Sequence, residues 1–193
     1  MRRKTFDKIL TFVGFGLSAL LLVAAGLLNW GATFADGAVS EQLAAQRIVM
    51  PGDNGDPEAS ADVKKFFADN ADKIMTSGKQ AQMYADHYIQ VHLNAMPTYA
   101  EASTANRVAA ARAAADPTNE ELQSDATKKA AIVETVFKGQ SLRGMLLNAY
   151  AFWQLGQIAA ISALASLAGA VLMLLLSIAG LIHIRRTPED ATI

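Results

Sequence analysis

Two long uncharged runs constrain this sequence more than any other feature. Residues 9–35 and residues 144–182 contain no Asp, Glu, Lys or Arg. A helix rises about 1.5 Å per residue, so about 20 apolar residues cross the roughly 30 Å hydrocarbon core of a bilayer. Both runs are longer than that. The sequence therefore predicts two transmembrane helices, the first over residues 9–35 and the second within residues 142–184.

The first run has an alternative interpretation as a secretory signal peptide. Basic residues precede it, and the small-residue stretch from Phe34 to Ala38 resembles a cleavage region. The apolar part of a signal peptide is usually only about 7–15 residues long. Because residues 9–35 form a longer run, we expect an uncleaved membrane anchor.

The second run is too long to lie wholly within a bilayer, because its helix would be nearly twice as long as the hydrocarbon core is thick. Counting back about 22 residues from the basic pair that follows the run places the outer boundary near Ile161. Residues 142–160 then form an apolar extension above the membrane surface. We expect Trp30, Tyr150 and Trp153 to lie at the membrane interface, where amphipathic aromatic rings are enriched.

Basic residues flank both runs on the same side and lie at the two ends of the chain: Arg2, Arg3, Lys4, Lys8, Arg185 and Arg186. The positive-inside rule therefore places residues 1–8 and 185–193 in the cytoplasm and residues 36–141 outside it, as an extracytoplasmic domain. The predicted location is the cytoplasmic (inner) membrane of a bacterium. Residues 36–143 carry 15 acidic and 11 basic side chains, so they lack the basic face that a nucleic-acid partner needs.

Small residues recur at helical spacing in both runs: Gly14, Ser18 and Ala25 in the first, and Ser162, Ser166 and Ala170 in the second. Small side chains let transmembrane helices approach closely. The simplest interpretation is that the two membrane helices pack against each other. The alternative is an interface with a second copy or with another membrane protein, and the sequence does not separate the two.

The segment between the runs has the capping signals of an all-helical domain and no alternation typical of strands. We expect the first helix to continue from Val39 to about Met50, and a second to begin at Pro57 with Asp56 as its N-cap. Ser77 with Gln80 and Thr98 with Glu101 have capping-box spacing and predict helices over about residues 79–94 and 99–115. The expected core face of the second helix consists of Val63, Phe67, Ala71 and Ile74.

A fifth helix is expected after Asp116 or Thr118, and Gly139 with Ser141 predicts a break before the second membrane helix. The predicted amphipathic stripe of this fifth helix consists of Leu122, Ala126, Ala130, Val133 and Phe137. The preceding Ala-rich stretch adds little side-chain volume, so we expect the domain to use residues 142–160 in its core. The predicted fold class is all-α: two transmembrane helices flank an extracytoplasmic helical domain, and the second is extended above the bilayer.

His87 and His92 are candidates for a metal site. Five residues along an α-helix correspond to about 500°, so the two rings diverge by about 140° and bind a common metal poorly. The alternative is that Tyr84 and Tyr88 pack inward while one histidine forms a hydrogen bond at the surface.

The remaining polar clusters have structural explanations. Asp53, Asn54 and Asp56 resemble part of a calcium loop but lack the full ligand spacing, so a turn is expected. Glu120 and Glu121 diverge on a helix and suit the dipole of its first turn. The chain has no cysteine, which excludes disulfides and thiolate chemistry. We predict no catalytic, cofactor-binding or metal-binding residue, and no enzyme.

Three stretches carry a resemblance to a known group. They are Arg2 to Lys8 before the first run, Gly78 to His92, and Ser141 to Phe152 at the start of the second run. With these stretches the chain resembles small, uncharacterised two-span membrane proteins of actinobacteria. Some members carry the label of an aromatic ring-opening dioxygenase. Such iron enzymes need two histidines and a carboxylate that converge on the metal, and this sequence offers no evident set.

Three functional hypotheses follow. The first is a non-catalytic membrane protein whose outer domain mediates protein interaction, as an accessory subunit of an envelope or respiratory complex or as a self-assembling scaffold. Its partners are then the lipid bilayer and a membrane protein or a second copy. The second is an extracytoplasmic small-molecule or lipid-binding sensor, with a cavity lined by Phe66, Phe67, Tyr84 and Phe137. The third is a metal-dependent enzyme at His87 or His92.

Overall fold

A computed structural model describes residues 3–188, which fold almost entirely into helices. The elements are α1 (Arg3–Gln46), α2 (Ala61–Asn70), α3 (Gly78–Tyr84), a π-helical turn (Ala85–Ile89), α4 (Gln90–Asn94), α5 (Tyr99–Ala115) and α6 (Glu120–Arg186). Arg2 and residues 189–193 of the predicted cytoplasmic ends lie outside the described residues. The all-α fold class is confirmed for the described part of the chain.

The long helices α1 and α6 have 44 and 67 residues, and both are long and apolar enough to cross a membrane. At about 1.5 Å per residue α6 is roughly 100 Å long. The predicted break at Gly139 and Ser141 is wrong, because α6 continues through both residues. The residues that follow Ser141, from Leu142 to Met145, contain no proline and extend the helix through Gly144, and Gly139 is accommodated against the Leu93 side chain.

Side-chain caps fix the starts of the shorter helices. The capping boxes of Ser77 and Thr98 are both present, so the predicted starts of α3 and α5 are confirmed. The predicted start of α2 is wrong, because its N-cap is Ser60, whose hydroxyl accepts from the Val63 N–H. Asp56 instead accepts from the Glu58 N–H within the preceding turn.

The helix α6 begins one to three residues later than expected, at Glu120. Asn119 Oδ1 accepts from the backbone N–H groups of Glu121 and Leu122 at 3.1 and 3.2 Å. This satisfies two of the amide donors that every helix leaves unpaired at its start. Of the predicted amphipathic stripe, Leu122, Ala126 and Val133 are half-buried, whereas Ala130 and Phe137 are exposed and Val136 is buried instead.

The chain forms two compact units. One, the span pair, contains α1 up to Gly37 and α6 from Gln154 onward. The other, the helical unit, comprises residues 38–153. Residues 142–153, predicted as part of the extension, therefore belong to the helical unit, whereas residues 154–160 belong to the span pair.

The core of the helical unit combines side chains from every part of it except α5. Its buried members are Val39, Leu43, Met50, Phe67, Met75, Ala81, Met83, Ala85, Ile89 and Leu146. From α6, Leu142, Leu147, Ala149 and Trp153 pack against this cluster. The expectation that residues 142–160 contribute to the core of the domain is met by residues 142–153, whereas residues 154–160 lie in the other unit.

Two short extended segments close the core between α1 and α3. The Met50 N–H donates to the Lys73 carbonyl at 2.9 Å, and the Met75 N–H donates to the Ile48 carbonyl at 2.8 Å. The intervening Val49 and Ile74 face each other as an isolated antiparallel bridge and are both exposed. The placement of Ile74 in a helical core was wrong, because α2 ends at Asn70 and alternation then buries Met75 instead.

Candidate functional site

The span pair is an antiparallel helix pair with small side chains at its centre. Buried positions recur every seven residues, at Thr11, Ser18, Ala25 and Ala32 in α1 and at Gly156, Ala163, Ala170, Ser177 and Ile184 in α6. A seven-residue repeat keeps one face of each helix towards its partner. The Ser18 hydroxyl donates to the Ala170 carbonyl at 2.9 Å, which is possible only because the backbones lie close together.

The predicted packing residues of α1 lie in this interface, whereas two of those in α6 do not lie at its centre. Gly14 faces the Ser177 side chain, and Ser18 and Ala25 are buried. Ala170 is buried opposite Ser18. Ser162 and Ser166 are half-buried, and the Ser162 hydroxyl bonds within its own helix, to the Ile158 carbonyl.

The outer faces of both long helices are apolar and uncovered. Only 22% of the most apolar part of α1 and 17% of that of α6 is buried. Large side chains such as Phe12, Leu27, Leu164 and Leu175 are more than half exposed. Leaving one such side chain in water instead of an apolar environment costs about 1.5–3 kcal/mol.

The three predicted interface aromatics have different surroundings. Trp30 is 69% exposed and stacks on Phe34, with ring centroids 5.9 Å apart. Tyr150 and Trp153 stack on each other at 6.1 Å in the helical unit. Trp153 also packs against the core, where Gly78 leaves room for its ring. Trp153 thus contributes to the packing between α3 and α6.

The π-helical turn interrupts the α-helical hydrogen bonding between α3 and α4, and side chains bond to two of its carbonyl groups. Asn54, which is 1% exposed, donates through Nδ2 to the His87 carbonyl at 3.0 Å. The His92 Nδ1 lies 2.7 Å from the Tyr88 carbonyl oxygen. Because a carbonyl oxygen only accepts, Nδ1 is the donor in this contact. π-Helical turns occur frequently at functional sites.

The rings of Tyr84, Tyr88 and His92 lie in a row along this helix, tilted against one another, with centroid separations of 4.8 and 4.5 Å. Both tyrosines pack against the core, as the structural interpretation of this stretch predicts. Burial, with a smaller contribution from Tyr88, raises the pKa of the Tyr84 phenol above its ordinary value. The phenol of Tyr84 is therefore protonated at neutral pH.

The two candidate metal clusters do not form in the structure. Among residues 3–188 no three side chains of His, Cys, Asp or Glu come together in a group that could hold a metal ion. Asp53 accepts from the Gly55 N–H at 3.2 Å, and Asp56 accepts from the Glu58 N–H at 2.9 Å. Their carboxylates therefore stabilise the predicted turn.

An ion pair that sequence reasoning missed links the π-helical turn to α6. Arg143 Nη2 lies 2.9 Å from Asp86 Oδ1, and both side chains are about one-third exposed. The partners are 57 residues apart in sequence, so no local spacing could have paired them. The Arg143 Nε is buried and has no hydrogen-bond partner within residues 3–188.

Two surface depressions flank this region of the helical unit. A polar cleft of about 430 Å³ lies beside Arg143, between the end of α4, the start of α5 and α6. An apolar groove of similar volume runs between α1 and α6, where Met145 is 68% and Phe152 42% exposed.

Neither a protein-family model nor a curated protein nor a solved structure matches the chain.

Proposed function

We propose that this chain is a non-catalytic, two-span protein of the inner membrane of a bacterium, whose extracytoplasmic helical domain binds another membrane protein or a second copy of itself. It then acts as an accessory subunit of an envelope or respiratory membrane complex, or as a self-assembling scaffold. The observation that carries this proposal is the uncovered apolar surface, which has two separate parts.

The first part is the outer face of the span pair, which suits lipid. A core helix of a water-soluble protein is mostly buried, whereas the apolar parts of α1 and α6 are about four-fifths exposed. The charge distribution supports the orientation, because the basic residues flanking both apolar runs lie at the ends of the chain.

The second part is the groove between α1 and α6 in the helical unit. Its walls include Val39, Leu43 and Ala149, and its rim includes the exposed Met145 and Phe152. Exposed methionine and aromatic side chains beside a groove are typical of protein interfaces. The uninterrupted helix α6 carries Met145 and Phe152 on the same element as the predicted membrane span. This continuity favours a partner that is itself held at the membrane.

The aromatic cavity of the sensor hypothesis does not form among the described residues. Phe67 is buried in the core and Phe66 and Tyr84 pack against that core, whereas Phe137 lies beside Tyr99 with centroids 6.2 Å apart. The four rings therefore do not line one cavity. The interaction hypothesis is the one that the surface of the domain favours.

Single-cysteine crosslinking tests the proposal, and no other residue of the chain can give a thiol crosslink because the natural sequence has no cysteine. In native membranes, Met145→Cys in the groove should give an intermolecular crosslink, to a second copy or to a partner. Ala110→Cys, on an exposed face of α5, is the matched control and should give none. If both variants remain monomeric, and native mass spectrometry in mild detergent finds only the monomer, the interaction role is refuted.

A further inference from the structure

The polar cleft beside Arg143 has the size and chemistry of a small-ligand site. Its volume of about 430 Å³ lies within the range of roughly 300–1,000 Å³ typical of such sites. Leu93, Met96 and Val136 give it an apolar wall, whereas Gln90, Asn94, Gln140 and Arg143 give it polar groups. An apolar wall with a few convergent polar groups is the usual composition of a binding pocket.

Arg143 is the single charged side chain among the residues that line this cleft. Its ion pair with Asp86 uses Nη2 alone, and the Nε–H is without an acceptor among the described residues. A guanidinium group has five N–H donors, arranged to bind a carboxylate through two parallel hydrogen bonds. The Nε atom is buried, so the donors that remain for a ligand are the three Nη N–H groups that the Asp86 pair does not use.

A carboxamide offers a further donor on the same cleft. The Gln90 Nε2 donates to Asn94 Oδ1 at 2.7 Å, which fixes the orientation of the Asn94 amide. With its oxygen occupied, Asn94 retains the two N–H donors of Nδ2. The lining thus combines one cation, neutral donors and an apolar wall. Because Asp86 already pairs with Arg143, a monocarboxylate that takes over the guanidinium adds one negative charge to the site, whereas a phosphate dianion adds two.

We propose that this cleft binds a small monocarboxylate with an apolar body, whose carboxylate pairs with Arg143 while the body lies against Leu93, Met96 and Val136. This site is separate from the apolar groove proposed above for protein interaction. Asp86 is the intramolecular competitor for the same guanidinium group, so the ion pair sets the affinity of the cleft for its ligand. Removing the Asp86 charge strengthens binding, and removing the Arg143 charge abolishes it.

Thermal unfolding of the full chain in lipid nanodiscs tests this proposal, with sodium benzoate as the probe and sodium chloride at equal ionic strength as the reference. Benzoate should raise the melting temperature, whereas benzamide, its uncharged counterpart, and inorganic phosphate should not. Asp86→Asn should lower the half-saturating benzoate concentration about tenfold, as expected for losing one competing charge-assisted hydrogen bond. Arg143→Gln should remove the response.

Two further variants keep the test decisive if Arg143→Gln does not fold. Asn94→Leu places an apolar side chain on the exposed rim of the cleft and should weaken the benzoate response. Lys138→Gln removes an exposed cation of α6 that pairs with Glu134 and should leave the response unchanged. The proposal is overturned if benzoate stabilises neither the wild type nor Asp86→Asn, if benzamide or phosphate acts equally well, or if Asn94→Leu responds like the wild type.

Discussion

Removing the part of α6 that follows Gly139 should unfold the helical unit. A fragment of residues 36–139 lacks Leu142, Leu146, Leu147 and Trp153, which pack in or against the core, and Leu146 is 1% exposed. Full burial of one such side chain contributes about 1.5–3 kcal/mol. With Leu146 counted in full and the three partly buried side chains at about half that value, the cost is about 4–8 kcal/mol. That is comparable with the entire stability of a typical domain, about 5–15 kcal/mol.

The assay compares this fragment with one that ends at residue 153, using thermal unfolding by circular dichroism and the dispersion of amide signals in NMR spectra. The longer fragment should unfold cooperatively, whereas the shorter one should show no transition. In the full chain, Leu146→Ala should cost about 2–5 kcal/mol, whereas Met145→Ala, at an exposed position, should cost little. A cooperatively folded fragment of residues 36–139 would refute the role assigned to α6.

Three further predictions concern single residues. Gly14→Ala places a methyl group against Ser177 and should destabilise the span pair by about 1–3 kcal/mol. Gly16→Ala is the control, because its methyl group meets open space. Equal unfolding midpoints of the two variants in detergent would contradict the packing of the span pair. Asn54→Ala removes the donor to the His87 carbonyl and should cost about 1–3 kcal/mol in thermal unfolding; an unchanged midpoint would show that the bond is not needed. Hydrogen bonds from Thr98 lower the pKa of Glu101 below its ordinary value of 4.5. This capping box therefore stabilises the fold above about pH 4.5, and its contribution is lost as the pH falls through the folded-state pKa. Glu101→Gln should remove that part of the pH dependence, so parallel curves of stability against pH for the variant and the wild type would contradict the prediction.

Local signals predicted most helix boundaries in the domain. The capping boxes at Ser77 and Thr98 placed α3 and α5 correctly, because the hydrogen bonds involved span only three residues. At Asp56 the same reasoning failed. A proline that follows a potential cap also suits a turn, and the Asp56 carboxylate bonds within that turn. The sequence allows either a helix cap or a turn at Asp56. The burial of Phe67 in the core fits a helix that begins after this turn.

Tertiary packing explains the other differences. Gly139 and Ser141 have the composition of a helix break, yet the core contacts of Leu142 and Leu146 keep α6 continuous. The ion pair of Arg143 with Asp86 has no sequence signature, because it joins elements 57 residues apart. The π-helical turn likewise depends on contacts that are distant in sequence, since Asn54 supplies the hydrogen bond to its carbonyl. Local patterns alone therefore could not predict the candidate site.

The most direct test of the account is labelling with a membrane-impermeant maleimide in intact bacterial cells. Two single-cysteine variants are compared: Ala110→Cys in α5 and Thr5→Cys near the start of α1, both at exposed positions. The proposed topology requires that Ala110→Cys is labelled in intact cells and that Thr5→Cys is labelled only after permeabilisation. The opposite pattern, or recovery of the protein in the soluble fraction, would contradict the proposal of two membrane spans with an outer domain.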